Sequence, residues 1–264
     1  MPDLPTDGVM NDYPGPLVPV DHVEPVPRRV RGTLGGHTVF DTVEARYVFE
    51  LPYYPQYYVP VGDVDRALLI DEGRTQHLKR GRAQRYGLRA GGIDRPGSAH
   101  LYTESDLAGI TGTLRFDWDA LDHWYEEDEE IHVHPRSPYT RVDALRSTRQ
   151  VRVELDGVLL AESSSPVLVF ETGLPTRYYL DRTEVDESHL VPTITVTRCP
   201  YKGTTTDYWT VDTGEGRRYP DLAWSYGFPS RELLPIAGLV AFYNEHVDLT
   251  IDGRRLVRPT THFS

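Results

Sequence analysis

Residues 151–160 read VRVELDGVLL, and this stretch decides the class of fold. Apolar and polar residues alternate from Val151 to Leu155, which is the period of a β-strand with one buried face. Asp156-Gly157 is a favoured two-residue hairpin turn, and apolar residues resume at Val158. The stretch therefore predicts an antiparallel β-hairpin.

Further strand patterns follow in the same half of the chain. Residues 166–170, 193–197, 208–211 and 247–251 are rich in β-branched and aromatic side chains. Helical patterns are short: residues 233–239 contain Pro235, and residues 117–130 form the best candidate, with apolar residues at three- and four-residue spacing. The chain is therefore predicted to be mainly β, built of antiparallel sheets with short helices.

The two halves of the chain repeat one order of landmarks. The matched pairs are Val48-Phe49-Glu50 with Val169-Phe170-Glu171, Tyr57-Tyr58 with Tyr178-Tyr179, Gly81 with Gly203, Tyr86 with Tyr208, Trp118 with Trp224, and Val142-Asp143 with Val247-Asp248. Shared order predicts a duplication with domains at 29–146 and 147–264, after an extended proline-rich arm at 1–28. Because no Gly/Ser linker joins the copies, we expect them to pack on each other as a pseudo-dimer.

Charge and cysteine content limit the partners. Asp plus Glu number 40 against 28 for Lys plus Arg, and a net charge of −12 argues against nucleic-acid and anionic-membrane surfaces. No stretch approaches the roughly 18 apolar residues of a membrane span, and the acidic N-terminus does not resemble a secretion signal. The single cysteine, Cys199, excludes an internal disulfide and a cysteine-pair zinc site, so we expect a cytoplasmic protein.

The densest group of reactive residues lies at 197–203, TRCPYKG. Cys199 is three residues from Lys202, one of only two lysines. A nearby cation lowers the pKa of a thiol from about 8.5, so Arg198 or Lys202 could activate Cys199. The other interpretation is that Cys199 is a small buried apolar residue at the end of a strand.

A second candidate, Glu171, follows four apolar residues and precedes the Gly173-Leu174-Pro175 turn. A carboxylate in this place either reaches solvent, pairs with a cation such as Arg177, or has a raised pKa. Aromatic residues of the same half either line a small-ligand pocket or form the core. They are Tyr178, Tyr179, Tyr201, Tyr208, Trp209, Trp224 and Tyr226.

Metal and phosphate motifs are weak. A strand at His132-Val133-His134 would put both rings on one face, but no third ligand stands at a diagnostic spacing. The sequence holds no phosphate loop, Gly-x-Ser-x-Gly motif or metalloprotease helix motif. We therefore predict neither a metal nor a cofactor.

Several motifs of the second half resemble the bacterial and fungal family called domain of unknown function 427. They are VRV at 151–153, FETGLP at 170–175, YY at 178–179, TRCPYKG at 197–203, YW at 208–209, AWSY at 223–226 and IAGLVAFY at 236–243. The resemblance implies a folded sheet of the β-tent type, related to methionine sulfoxide reductase B, and implies no established reaction. The first half resembles a degenerate copy in which His77 replaces Cys199, Arg80 replaces Lys202 and Glu50 matches Glu171. Whether that copy keeps a site stays open.

Three hypotheses for the function remain. In an enzyme, Cys199 attacks a small carbonyl-like substrate, Lys202 or Arg198 stabilises the anions, and Glu171 is the acid/base. In a binding module, the aromatic residues with Lys202 and Arg198 capture a small anionic metabolite without turnover. In a structural or interaction protein, the aromatic residues are all core.

Overall fold

The computed structural model describes residues 13, 15, 17–214, 216–261 and 263–264 of the 264-residue chain. The chain divides into two compact units, Leu17–Thr140 and Arg141–Ser264. Both are built from antiparallel β-strands, and the helices of the described part are short 3-10 turns. No helix in these described ranges has the length and apolarity to cross a membrane.

The first unit has two sheets. Its strands are β1 (Val23–Pro25), β2 (Val30–Leu34), β3 (His37–Thr42), β4 (Arg46–Val48), β5 (Gln56–Pro60), β6 (Leu69–Leu78), β7 (Gly81–Ala90), β8 (Ile93–Glu104), β9 (Thr113–Phe116), β10 (His123–Glu126) and β11 (Glu129–Ile131). The larger sheet has the order β1-β4-β5-β9-β8-β7-β6, and the smaller has the order β11-β10-β2-β3. The 3-10 helices are Val61–Asp63, Arg66–Leu68 and Trp118–Ala120.

The second unit repeats this plan. Its strands are β12 (Val142–Arg146), β13 (Val151–Leu155), β14 (Val158–Ser163), β15 (Val167–Glu171), β16 (Arg177–Leu180), β17 (Leu190–Pro192), β18 (Arg198–Cys199), β19 (Gly203–Thr204), β20 (Asp207–Gly214), β21 (Arg217–Ser225), β22 (Val240–Phe242), β23 (Asp248–Ile251) and β24 (Arg254–Arg255). The sheet orders are β12-β15-β16-β22-β21-β20-β17 and β14-β13-β23-β24, with β18 and β19 as a separate hairpin. The 3-10 helices are Arg182–Glu184, Glu187–His189 and Arg231–Ile236.

The strand orders of the two units correspond strand by strand. The order β1-β4-β5-β9-β8-β7-β6 maps onto β12-β15-β16-β22-β21-β20-β17. The smaller sheets correspond when the first is read in reverse, so that β3-β2-β10-β11 matches β14-β13-β23-β24. Tyr57 of β5 faces Tyr47 of β4, and Tyr178 of β16 faces Leu168 of β15, so both strands keep an offset of 121 residues. The predicted fold, mainly β and duplicated, is confirmed.

The match of Trp118 with Trp224 is wrong. His100 of β8 faces Arg115 of β9, as Trp224 of β21 faces Ala241 of β22. Arg115 also pairs with Tyr58, and Ala241 also pairs with Tyr179, and these two tyrosines are equivalent in the two units. His100 therefore occupies the place of Trp224, and Trp118 lies in the 3-10 helix that follows β9.

The match of Val142-Asp143 with Val247-Asp248 is also wrong. Val142-Asp143 lie in β12, which corresponds to β1, whereas Val247-Asp248 lead into β23, which corresponds to β10. The predicted bounds of 29–146 and 147–264 would assign β12 to the first domain, but β12 pairs with β15 in the second unit. Of the predicted arm at 1–28, residues 1–12, 14 and 16 lie outside the described residues, and Val23–Pro25 pairs with β4.

The predicted hairpin at 151–160 is confirmed by β13 and β14, and both turn residues are left-handed, with φ of 54° at Asp156 and 80° at Gly157. Strands also form at 166–170, 208–211 and 247–251, within a residue or two of the predicted bounds at their starts. Residues 193–197 were predicted as a strand but pair with no strand along their length in the described structure. The segment leaves the sheet after Pro192, which has no N–H to donate.

The helix predicted at 117–130 is wrong. The segment forms the turn Trp118–Ala120 and then the hairpin of β10 and β11, with Glu127 at φ 50° between them. The Trp118 and Trp124 rings stack with their centroids 4.6 Å apart. A turn followed by a strand therefore buries the apolar residues whose spacing predicted a helix. The predicted strand at His132-Val133-His134 is wrong too, because Val133 has φ 72° and lies in a bend.

Each face of the larger sheet of the second unit is covered by a separate apolar cluster. The inner core lies between the two sheets, and the outer core covers the opposite face. The inner core includes Val153, Leu160, Leu168, Tyr178, Trp209 and Leu249. The outer core includes Val169, Tyr179, Tyr208, Trp224, Tyr226, Leu233 and Ile236. Since neighbouring residues of a strand face opposite ways, adjacent aromatic residues are divided between the two cores.

Candidate functional site

A buried ion pair joins Glu171 to Lys202. Glu171 ends β15 on the same face as Val167 and Val169, so its side chain lies beside the outer core. Lys202 lies in the turn between β18 and β19, and its Nζ donates to Oε2 of Glu171. The side chain of Lys202 is only 12% exposed and that of Glu171 only 9%. Both charges are therefore largely removed from water.

The main chain fixes the position of Lys202. Its carbonyl oxygen accepts a hydrogen bond of 3.0 Å from the N–H of Ser230, and the Ser230 hydroxyl donates to the carbonyl of Tyr201. Gly203 follows with φ 97°, a conformation that favours glycine. The turn is thus held against the segment that precedes the 3-10 helix Arg231–Ile236.

The pKa of Lys202 lies above its ordinary value. Burial alone would lower the pKa of this ammonium, but the carboxylate of Glu171 raises it by more, and ionisation of Cys199 or Tyr179 would raise it further. Lys202 therefore stays protonated at neutral pH and serves as a fixed cation in the site.

Cys199 lies on the same hairpin, where it faces Gly203. Its thiol is free and half-buried, and its charge would raise the pKa of both Lys202 and Tyr226. The structure thus brings Glu171, Cys199 and Lys202 together. Arg198, the residue before Cys199 in β18, is exposed.

The predicted aromatic lining divides into two groups. Tyr179, Tyr208, Trp224 and Tyr226 lie in the outer core beside the ion pair, where the indole N–H of Trp224 donates to the Tyr179 hydroxyl over 3.1 Å. Burial raises the pKa of Tyr179 to about 12, despite the opposing effect of Lys202. The remaining residues are elsewhere: Tyr178 and Trp209 belong to the inner core, and Tyr201 is half-buried in the turn.

A second buried ion pair on this face was missed by the sequence analysis. Arg177 binds both carboxylate oxygens of Glu245, at 2.6 and 2.8 Å, and also Oδ1 of Asn244 at 3.2 Å. The Arg177 guanidinium carbon lies 5.9 Å from the Trp224 ring centroid and 5.5 Å from that of Tyr243. Arg177 therefore does not pair with Glu171, which was the alternative interpretation. Two adjacent polar residues directly after a long apolar run at 236–243 were the available signal.

The first unit keeps a different charged group at the matching place. Glu50 accepts a 2.8 Å hydrogen bond from the Tyr58 hydroxyl and pairs with Arg115 at 3.3 Å. Arg80, the predicted counterpart of Lys202, instead donates to the Glu50 carbonyl at 3.1 Å and pairs with Asp21 at 2.7 Å. Glu50 thus pairs with a cation as Glu171 does, but this cation, Arg115, comes from β9 and not from the hairpin turn.

The match of His77 with Cys199 is wrong. Leu78 faces Gly81 across the β6–β7 hairpin, as Cys199 faces Gly203. The turn of the second unit is one residue longer, which shifts the alignment. Leu78 packs on a small apolar cluster, whereas His77 is exposed. The counterpart of Cys199 is therefore an apolar residue.

Two cavities of the second unit lie away from Cys199, Lys202 and Glu171. One of about 50 Å³ is lined by Tyr178, Asn244 and the segment at 256–259. The other, of about 310 Å³, lies between Arg182, Pro192 and Trp209. No group of three His, Cys, Asp or Glu side chains suited to a metal occurs in the described part of the chain.

The sequence matches a family model in two segments, residues 22–127 and 143–253. The first segment extends from β1 into the turn between β10 and β11, and the second extends from β12 into the turn that follows β23. Among curated proteins, none matches the chain. The chain therefore belongs to the family described as a domain of unknown function, DUF427, and carries two copies of that domain.

Proposed function

We propose that the second unit holds a small-molecule site in which Cys199 is the reactive group. One observation carries this proposal: the only thiol of the chain is half-buried beside the ion pair of Lys202 and Glu171. A buried ion pair adds little to stability compared with apolar residues of the same shape, so its position next to a thiol favours a chemical role. The lone thiol also supports a reducing cytoplasm as its location.

The reaction that this arrangement supports is attack on a small carbonyl compound. The sulfur of Cys199 forms a bond to the carbonyl carbon while the π electrons move to the oxygen, where the Lys202 ammonium stabilises the negative charge. The carboxylate of Glu171 accepts the thiol proton and returns it to the oxygen or to the leaving group. Each residue thus touches a reacting atom.

Simple capture of an anion by Lys202 is less favoured. Such a role would leave the half-buried thiol beside the ion pair without a function. A structural role for Cys199 is the second candidate, because the first unit has the apolar Leu78 at the matching position.

Alkylation of the intact protein distinguishes these roles. We expect iodoacetamide to modify Cys199 faster than a free thiol at neutral pH, because Lys202 stabilises the thiolate. Replacing Lys202 with Met should slow the reaction about tenfold or more, because the attacking thiolate loses the neighbouring positive charge. The control is Lys79→Met, which removes the other, exposed lysine.

Mass spectrometry gives the rate directly, since one thiol yields one adduct. A wild-type rate no greater than that of a free thiol would leave Cys199 with a packing role. Because Lys202→Met leaves Glu171 unpaired, the variant Lys202→Arg keeps the ion pair as a check on folding.

A further inference from the structure

We propose that the second unit binds a small polyhydroxylated molecule, such as a monosaccharide or cyclitol, at an open end of its sheet edge. A cavity of about 310 Å³ lies there, close to the lower limit of typical small-molecule sites. It is separate from the Cys199 site, because Cys199, Lys202 and Glu171 do not line it.

The cavity arises from the early end of an edge strand. β17 pairs with β20 over only three residues, up to Pro192, and the chain then leaves the sheet. The hydroxyls of Thr193 and Thr195 hold the departing segment through hydrogen bonds of 2.7 Å to the carboxylate of Asp221. In the first unit, the corresponding β6 continues along β7 as far as Leu78. The open edge is therefore fixed by specific contacts of the second unit.

Arg182 forms one wall of the cavity. Its guanidinium carbon lies 5.0 Å from the ring centroid of Trp209, and Nη2 donates to Asp207 at 2.9 Å. Nη1 lies 3.8 Å from Oε1 of Glu187, which is too far for a hydrogen bond. The N–H donor of Arg182 and the carboxylate acceptor of Glu187 therefore face each other across a short gap, without a direct hydrogen bond.

A hydroxyl group suits this gap. Its oxygen accepts from Nη1 of Arg182 while its hydrogen is donated to Glu187, so one group satisfies both atoms. Thr206 also lines the cavity, and its hydroxyl donates to the carboxylate of Asp207 at 3.1 Å. A ligand hydroxyl could make the same kind of hydrogen bond to Glu187. Several hydroxyls on a compact ring would use these partners together.

The charge of the lining excludes anionic ligands. Glu187 and Asp207 carry two negative charges against one positive charge on Arg182, so a phosphate or carboxylate would be repelled. Leu190, Pro192, Tyr208 and Trp209 supply the apolar part of the lining, which suits the C–H surface of a sugar ring.

The test measures binding of D-glucose and myo-inositol to the intact protein by saturation-transfer NMR. We expect ring protons of at least one of them to receive saturation, with millimolar affinity. Glu187→Gln should weaken binding about tenfold or more, because the variant loses a hydrogen bond to a charged acceptor. The control is Glu162→Gln, since Glu162 is 58% exposed and 3.9 Å from Arg152, close to the 57% and 3.8 Å of Glu187 and Arg182.

Three results would overturn the proposal. The first is that neither compound binds at concentrations of tens of millimolar. The second is that Glu187→Gln and Glu162→Gln bind as well as the wild type. The third is that methylammonium binds while both polyols fail, which would make the cavity a cation site. Glu187 is exposed, so its variant is expected to fold, and the thermal unfolding midpoint checks this.

Discussion

Glu171 and Lys202 lose most of their hydration when the second unit folds, and each charge depends on the other. Two charges buried together recover the cost of desolvation only through close pairing, whereas one buried charge without its partner stays uncompensated. The pair therefore contributes little to net stability, but its disruption is costly. This makes the two side chains suitable for a variant test that does not depend on activity.

We predict that Glu171→Leu and Lys202→Met each lower the free energy of unfolding by about 3–5 kcal/mol. The double variant should lose much less than the sum, because no unpaired charge is left. Urea unfolding of the four proteins gives these values. Asp94→Asn is the control, since Asp94 and Arg89 are 61% and 62% exposed and such pairs contribute at most about 1 kcal/mol. Additive losses would contradict a coupled pair.

The proximity of site residues was predictable where the signal was local. Cys199 and Lys202 are three residues apart, and a hairpin keeps them together. A carboxylate at the end of an apolar strand marks Glu171 as a candidate, but the sequence does not specify which cation pairs with it. The pairing of Arg177 with Glu245 spans 68 residues, and strand order rather than sequence spacing brings them together.

At the scale of elements, the two related hairpins differ in how tightly they are packed. Gly81 and Gly203 occupy matching places after the turn, and both have positive φ, at 140° and 97°. A Cβ at Gly81 would lie 2.0 Å from the carbonyl oxygen of Glu104, whereas a Cβ at Gly203 would meet no atom nearer than 3.6 Å. Glycine is therefore required at 203 because of its φ, and at 81 because of both its φ and its close contact with Glu104.

We predict that Gly81→Ala lowers the free energy of unfolding by at least about 2 kcal/mol more than Gly203→Ala. Gly203→Ala has only the cost of its φ, on the order of 1–2 kcal/mol, whereas Gly81→Ala must also move a neighbouring strand. Chemical unfolding followed by circular dichroism measures both. Gly36→Ala, at φ 77° with open space around it, is the control for the φ cost alone. Equal losses at Gly81 and Gly203 would count against the contact with Glu104.

Elements with a strong local turn were predicted, and elements set by packing were not. Asp156-Gly157 specifies its hairpin because both residues tolerate left-handed φ. The segment at 117–130 has helical spacing, yet its apolar residues are buried by a turn and a strand. Residues 193–197 have strand composition, but Pro192 and the hydrogen bonds to Asp221 draw them away from β20.

At the scale of the whole molecule, aromatic burial is shared by both units. Eight of the 17 tyrosines are buried. In the first unit Tyr57 donates to Glu126, and in the second unit Tyr179 accepts from Trp224. Duplication was predictable from the order of landmarks, but the register of β9 and β22 was not, because the intervening segments differ in length. These buried phenols make the stability of the chain sensitive to alkaline pH.

We predict that the protein is stable to about pH 10 and loses stability progressively as the pH approaches 12. The pKa of an exposed tyrosine is about 10, whereas burial raises that of Tyr179 to about 12 and also raises those of Tyr58 and Tyr226. As the pH rises, these phenols lose their protons in the unfolded chain at a lower pH than in the folded chain. The stability that they contribute below about pH 10 is therefore lost as the pH rises through their folded-state pKa values. The absorbance of tyrosinate should therefore show a late step in the native protein, together with loss of near-ultraviolet circular dichroism. In concentrated urea the late step should be absent, and Tyr179→Phe should reduce it by one tyrosine. A native titration with one midpoint near pH 10 would contradict the burial of these phenols.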